Sequence, residues 1–299
     1  MIALSTNVFC HFDGCKIVSL DSELGFVSLD LSFTLNSERV YDILQTAPQS
    51  GIAIISLHNF VPEPPDGERT FMLSDLDDIL RNKAVELTMD TIRLASEVGA
   101  SAVVLHLGQP RNWDFEAAQN RLREAIHADC NFREIDKLRN EIISTRKDLS
   151  SAYLDSILIS LDRIMPLAQN LGIRLGVENR YYYGQFPNFE ELSIVIQEFS
   201  GAPLGYWHDC GHAAHSAYCG FSPITENLDA FIGHQIGFHI HDISRWSDHQ
   251  VPSPDGDTDF AYILPYIRPE TNLVLELGRG KSSMEIGQGI AYLNSCGIY

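Results

Sequence analysis

Eight short runs rich in β-branched and aliphatic residues recur along the chain, separated by longer stretches, several with helical spacing. They are IALSTNVF (2–9), FVSLDLSF (26–33), IAIISLHNF (52–60), SAVVLHLG (101–108), IRLGVEN (173–179), PLGYWHD (203–209), IGFHIHD (236–242) and NLVLELG (272–278). Runs of this length and composition read as strands. Helical periodicity is clearest over 74–98, where Leu76, Ile79, Leu80, Ala84, Leu87, Ile92, Leu94 and Ala95 fall largely on one face and Gly99 follows as a stop. Helices are also expected at 36–46, 188–200 and 282–296. Strand and helix alternating eight times argues for α/β class and a (β/α)8 TIM barrel. A length of 299 residues accommodates that barrel as a single domain over 1–299.

Side-chain parity supports the assignment, because barrel strands present alternate residues to the interior and to the surrounding helices. In 173–179, Gly176 and Glu178 oppose Leu175 and Val177; in 272–278, Val274 and Glu276 oppose Leu273, Leu275 and Leu277. His58 follows Ser56 and Ile54, and His106 follows Val104 and Ala102. The ionisable residue thus ends each strand on its interior side. Asp209 fits this parity less cleanly, and its strand is expected to end before it.

A parallel barrel places all strand C-termini on one face. There His58, His106, Glu178, Asp209, His212, His239, His249 and Glu276 would converge. Buried carboxylates are costly unless paired or bound to metal. A mixed oxygen and nitrogen donor set suits Mn, Co, Zn or Fe better than Ca, and Mg is also compatible with its carboxylates. His241 lies on the same side as His239 and is read as a residue supporting the ligands.

The long connection 109–172 carries two or three further helical segments (DFEAAQNRLREAIHADC, FREIDKLRNEIISTRKDL and SSAYLDSILISLDRIMPLAQNLG) and is read as an insertion between strands four and five. A solvated surface insertion is the expected role; a hairpin over the barrel mouth or a dimer arm would also account for its length. Six cysteines occur without a C-x-x-C pair, which points to neither a zinc ribbon nor a redox dithiol. Cys210, next to Asp209, is expected to pack as a small hydrophobe. Net charge is 21 minus 40, or −19, which repels nucleic acid and anionic membranes. With no signal-like N-terminus and no apolar run of membrane-spanning length, the expectation is a soluble, cytoplasmic protein.

The motifs GVEN, HDCGH, HIHD and LEL resemble those of the xylose-isomerase-like barrels, which include ketose 3-epimerases, inosose-processing enzymes and endonuclease IV. The resemblance spans essentially the whole chain, with its motifs concentrated in 173–280. It implies one divalent metal held by Glu178, Asp209, His239 and Glu276, with His212 and Arg245 contacting substrate oxygens. Glu178 and Glu276 would exchange a proton with a sugar, sugar phosphate or polyol through an enediolate. An inosose-type dehydratase would share that opening step. In the endonuclease IV branch extra histidines bind additional zinc ions, and His58, His106, His212 and His249 lie where those ligands would be expected. That implies a multi-zinc phosphodiester hydrolase as the alternative. The Asp expected two residues before the last His is missing, since Ser247 stands there and Asp248 is out of step. Tyr181, Tyr182 and Tyr183 could stack on a sugar face or form a packed rim.

The loop GRGKSS (278–283) is not a Walker A motif, because Leu275 stands where a glycine is required. Its Ser282 and Glu285 fit a helix capping box, and Arg279 and Lys281 near that helix start could also attract an anion. A small carbohydrate is the expected partner, with a homo-oligomer left open.

Overall fold

A computed structural model describes residues 1–64, 71–244 and 247–299. The strands β1 (Ile2–Ser5), β2 (Ser28–Leu31), β3 (Ala53–His58), β4 (Ala102–Leu105), β5 (Arg174–Glu178), β6 (Leu204–Asp209) and β7 (Gln235–Ile240) follow in order. A hairpin of β8 (Asp242–Ser244) and β9 (Ser247–Gln250) precedes the last barrel strand, β10 (Asn272–Leu275). The barrel closes in the order β1-β10-β7-β6-β5-β4-β3-β2, with every barrel pairing parallel. All eight expected runs form these strands, two to four residues shorter than expected in most cases because their ends turn into loops.

The helices are α1 (Gly14–Glu23), α2 (Ser37–Thr46), α3 (Asp78–Val98), α4 (Phe115–His127), α5 (Phe132–Leu171), α6 (Phe189–Glu198), α7 (Cys210–Cys219), α8 (Glu226–Ala230) and α9 (Ser283–Ser295). Asp77 caps α3 by accepting from the Ile79 and Leu80 amides, and Gly99 ends it in the left-handed conformation. Among the described residues no helix is long and apolar enough to cross a membrane.

Segment 109–172 folds as two helices, within the two or three expected. The boundary expected near Ser150 is absent, and α5 runs unbroken for 40 residues, through Pro166, a length of about 60 Å. One part of it packs against α4 and another against α3. The second half therefore serves as the barrel's own covering helix before β5, and only α4 and the first half of α5 are additional.

Outward-facing strand residues such as Leu4, Leu29, Leu57, Val103, Leu175 and Phe238 join the main core with the helices. The interior is narrower and holds a separate cluster, with Ala3, Ala102, Val104 and Val274 around Trp207. Small neighbours make room for that indole: a Cβ on Gly237 would stand 2.4 Å, and on Gly176 2.9 Å, from its ring carbons. Trp207 is thus the floor on which the strand-end residues rest. β6 alternates regularly against β5, and the register shift opposite Tyr206 and Trp207 lies in β7, where Ile236 is the extra residue. Trp207 and Asp209 both face inward, and β6 continues to Asp209 instead of stopping before it.

Two outcomes follow from this packing. Gly237→Ala should lower stability by about 1–3 kcal/mol through overpacking, and adding Trp207→Leu should recover part of the loss in thermal melts; strict additivity of the two changes would contradict the account. Asp21 on α1 is fully buried, with neither carboxylate oxygen hydrogen-bonded among the described residues, and burial raises its carboxyl to about 8. Between the ordinary carboxylate value and 8 the folded state keeps a proton that the unfolded chain has released, so stability falls as pH rises through that window. Asp21→Asn should therefore raise Tm over wild type by an amount that grows from pH 4 to pH 8 and then levels; a constant difference would count against it.

Candidate metal centre

Glu178 ends β5, Asp209 ends β6, His239 lies near the end of β7, and Glu276 follows β10. Their donor atoms, one from each residue, all lie within 4.8 Å of one another. His239 Nδ1 is the meeting point: it contacts Glu178 Oε1, lies 3.2 Å from Glu276 Oε2, and 3.9 Å from Asp209 Oδ2. All four side chains are at most 3% exposed. Three buried carboxylates around one imidazole leave a formal charge of −3 when the ring is neutral, which is untenable without a cation. In the protein by itself the imidazole takes that part. Burial would lower its pKa, but Glu276 and Glu178 raise it to about 10. Burial likewise opposes ionisation of Glu178, yet His239 and His106 hold its carboxyl well below the usual range. His239 Nε2 is buried without a partner among the described residues.

Two further donor sets adjoin this one. His58, His106 and Glu178 form the first. His106 Nε2 lies 2.5 Å from Glu178 Oε2, and the His58 ring stacks 5.4 Å from that of His239. Burial and the nearby Arg180 charge push His106 well below the usual histidine value, leaving it a neutral donor. His212, His241 and His249 form the second. Asp248, out of step in the sequence, stands 3.2 to 3.5 Å from all three imidazoles. Adjacent residues of an extended strand face opposite ways, but His249 is left-handed, with φ 54°, which lets Asp248 and His249 turn to one centre. His241 Nε2 lies 2.9 Å from Asp209 Oδ2, so it supports a residue of the four-donor set while belonging to this trio. Gly211 makes that possible, since a Cβ there would stand 2.1 Å from the His241 ring.

Neighbouring bonds fix the donors. Asn179 locks the end of β6, accepting from the Asp209 amide at 2.7 Å and donating to its carbonyl at 3.0 Å. Asp209 also caps α7 by accepting from the His212 amide at 2.7 Å. His212 Nδ1 lies 2.8 Å from the Asn179 carbonyl, which orients Nε2 toward Asp248. Burial lowers and the Asp209 and Asp248 charges raise this imidazole, for a net value of about 9. Beneath the site, Asp30 accepts from Ser5 at 3.1 Å and Ser56 at 2.7 Å.

Several functional positions were not singled out in the sequence. Arg180 donates to Glu178 Oε2 at 2.8 Å, and its place two residues beyond Glu178 was the available signal. Arg123 of α4 donates to the Tyr181 hydroxyl at 2.9 Å and lines the chamber over the carboxylates. That chamber holds about 400 Å3 and is also walled by Tyr181, Tyr182, His58, His212 and His249. Tyr183 is a packed rim residue, stacked on Phe221 at 4.3 Å. Arg245 lies outside the described residues. Cys210 is fully buried, with its thiol pushed up by burial. Loop 278–283 is a cap: Ser282 and Glu285 form the capping box, and Lys281 donates to Gln250 at 2.7 Å.

No protein-family model matches the chain. Among curated proteins it is 22% identical over 205 residues to "Uncharacterized protein MJ1311" of Methanocaldococcus jannaschii, an alignment covering 65% of this chain and 56% of that one. The chain therefore spans a little over half the length of that relative. Solved structures align along nearly the whole chain. A D-tagatose 3-epimerase-like protein gives a TM-score of 0.71 at 17% identity, covering 99% of this chain and 96% of the other. The chain shares the fold of that protein, a closed eight-stranded parallel barrel. The 3-keto-D-glucoside 4-epimerase YcjR from E. coli gives 0.69 at 12% identity with 99% of both chains covered, and an L-ribulose 3-epimerase gives 0.69 at 14% identity with 99% and 93% covered.

The donor geometry predicts a measurable response to a cation. Adding Co(II) to chelator-stripped protein should raise Tm progressively with concentration, as any ligand of the folded state does. His239→Ala and Asp209→Asn should each abolish most of the shift, while His215→Ala, whose imidazole stacks on Tyr181 away from the donor sets, should retain it. Equal shifts in all three variants would refute the assignment.

Proposed function

We propose that the chain is a divalent-metal-dependent isomerase or epimerase acting on a sugar, sugar phosphate or polyol. The observation that carries this reading is the approach of Glu178 and Glu276 to one imidazole nitrogen from β5 and β10, strands separated in the barrel by β6 and β7. Two carboxylates flanking one point can serve opposite faces of a substrate carbon. The activities of the epimerases that share this fold agree with this chemistry.

Glu178, Asp209, His239 and Glu276 would hold the ion. Once bound, it would supply Lewis-acid polarisation of a carbonyl and its neighbouring hydroxyl. Both glutamates are held as carboxylates, because the adjacent imidazoles outweigh the opposing effect of burial, so either can accept a proton. One removes the proton from the carbon next to the carbonyl, and the C–H electron pair passes into the enediolate. A proton from solvent is relayed through the other to the opposite face, leaving it a carboxylate again, and the first glutamate loses its proton to solvent. His212, oriented by the Asn179 carbonyl, and Arg180 at the chamber wall would hold substrate oxygens, as would Arg245 by its spacing from His239. A dehydratase of the inosose type would start with the same proton removal.

The two adjoining histidine sets favour a second reading, a multi-zinc phosphodiester hydrolase of the endonuclease IV type. The charge of −19 opposes attraction to a polyanion. Elemental analysis separates the readings, with one ion per chain expected here and two or three for the hydrolase.

In deuterated water, turnover of a ketose substrate should place deuterium at the epimerised carbon. Glu276→Gln keeps an oxygen toward the centre but cannot take a proton, so the exchange rate should fall by about 10²-fold or more with smaller loss of substrate binding. A variant that keeps its metal and exchanges at the wild-type rate would leave Glu276 without a catalytic role.

A further inference from the structure

The barrel mouth has a second room. Beside the 400 Å3 chamber lies a recess of about 160 Å3, and Phe33, His106, Arg180 and Gln185 wall both spaces. No step proposed for the two glutamates uses the recess. Phe60, Phe71 and Met72 supply apolar lining. Gln109 and Gln185, also on its wall, are joined by an amide hydrogen bond of 3.1 Å. Asn59 lines the same space, 8% exposed. Its Nδ2 donates to Thr88 Oγ1 at 2.9 Å, while its Oδ1 is buried with no partner among the described residues.

An unpaired buried acceptor is costly unless something donates to it. Aromatic faces accept the C–H edges of a saturated ring, and side-chain amides match the hydroxyls around its rim. A cavity of about 150 Å3 takes up benzene, so the recess seats the ring of one hexose with its substituents extending into the adjoining chamber. The larger chamber by itself is within the usual range for a small ligand, so the recess provides room beyond what the reacting sugar needs.

We propose that the recess is a second subsite and that the substrate class is a ketose bearing a second sugar ring in glycosidic linkage. This rests on the isomerase or epimerase reading for the reacting unit. The reacting carbonyl must stay available, so the second ring hangs from a hydroxyl other than the anomeric one. The ketose lies over Glu178 and Glu276, the linkage passes His106 and Arg180, and the second ring lies against Phe60 and Phe71, where Asn59 turns its now enclosed Oδ1 toward a ring hydroxyl. The glycosidic bond is untouched: one C–H bond breaks and one re-forms.

The test follows deuterium exchange by NMR with Mn(II)-loaded protein on D-fructose and on its glucosylated forms maltulose, leucrose and isomaltulose, which carry the second ring at O4, O5 and O6. At least one glucosylated ketose should show kcat/KM about tenfold or more above D-fructose, because binding energy from the non-reacting ring is drawn on at the reacting carbon. Phe71→Ala and Asn59→Leu should each lower that ratio about fivefold or more, with Phe71→Leu as the milder change should alanine impair folding. Calorimetric binding of phenyl β-D-glucoside, which has no ketone and cannot react, gives an independent readout that the same variants should weaken. If D-fructose exchanges and no glucosylated ketose exceeds it, the subsite is overturned while the epimerase reading stands. If no ketose exchanges but the glucoside binds and the variants weaken it, the subsite stands and the reading of the reaction fails. Absence of both exchange and binding overturns the subsite as well.

Discussion

The organisation of the barrel mouth depends on charge balance at one nitrogen. Glu178, Asp209 and Glu276 are driven together by strand order, and His239 Nδ1 stands between them. Repulsion among three carboxylates in a dry setting would open the strand ends unless positive charge is supplied. His239 supplies it in the protein alone, helped by Arg180 on Glu178. A divalent cation would replace the imidazole proton and free Nδ1 as a donor. The same balance keeps both glutamates ionised despite burial, the form a base requires.

That arrangement needs a rigid support, and Trp207 provides it. The indole fills the interior just below the site, 5.1 Å from the His239 ring, in space left open by Gly176 and Gly237. Asp30, bound by Ser5 and Ser56, adds a polar contact at the same depth. Burial raises its carboxyl, although the imidazoles of His239 and His58 act the other way.

Most of this plan was legible in the sequence because it follows from period-two alternation. Gly176 with Glu178 and Val274 with Glu276 gave the inward side before any coordinates, and all eight strands formed where the apolar runs lay. What escaped is what alternation does not encode. The end of β6 was not readable, because Asp209 both closes the strand and caps α7. The left-handed backbone of His249 brought Asp248 to the histidine trio although the spacing argued against it. The continuous α5 was obscured by Ser150 and Ser151, which look like a break that packing along α3 and α4 overrides.

The additional hairpin of α4 and the first half of α5 is better described as part of the site wall than as a surface appendage. Gln119 accepts from the Tyr183 amide at 2.7 Å and Arg123 holds the Tyr181 hydroxyl. The buried Arg146 binds Glu191 through two bonds of 2.7 Å and the Gln185 carbonyl at 2.9 Å. Each of these partners lies in the segment from Tyr181 to Glu191, which walls the chamber and the recess on the β5 side. Bidentate guanidinium–carboxylate pairing in a dry setting fixes direction as well as distance, so Gln185 is presented to both spaces from a braced backbone. The strand ends set the chemistry, and the helical arm sets the shape of what reaches it. Barrels that share these carboxylates but differ in the connection after β4 would therefore be expected to share the proton transfer and differ in substrate.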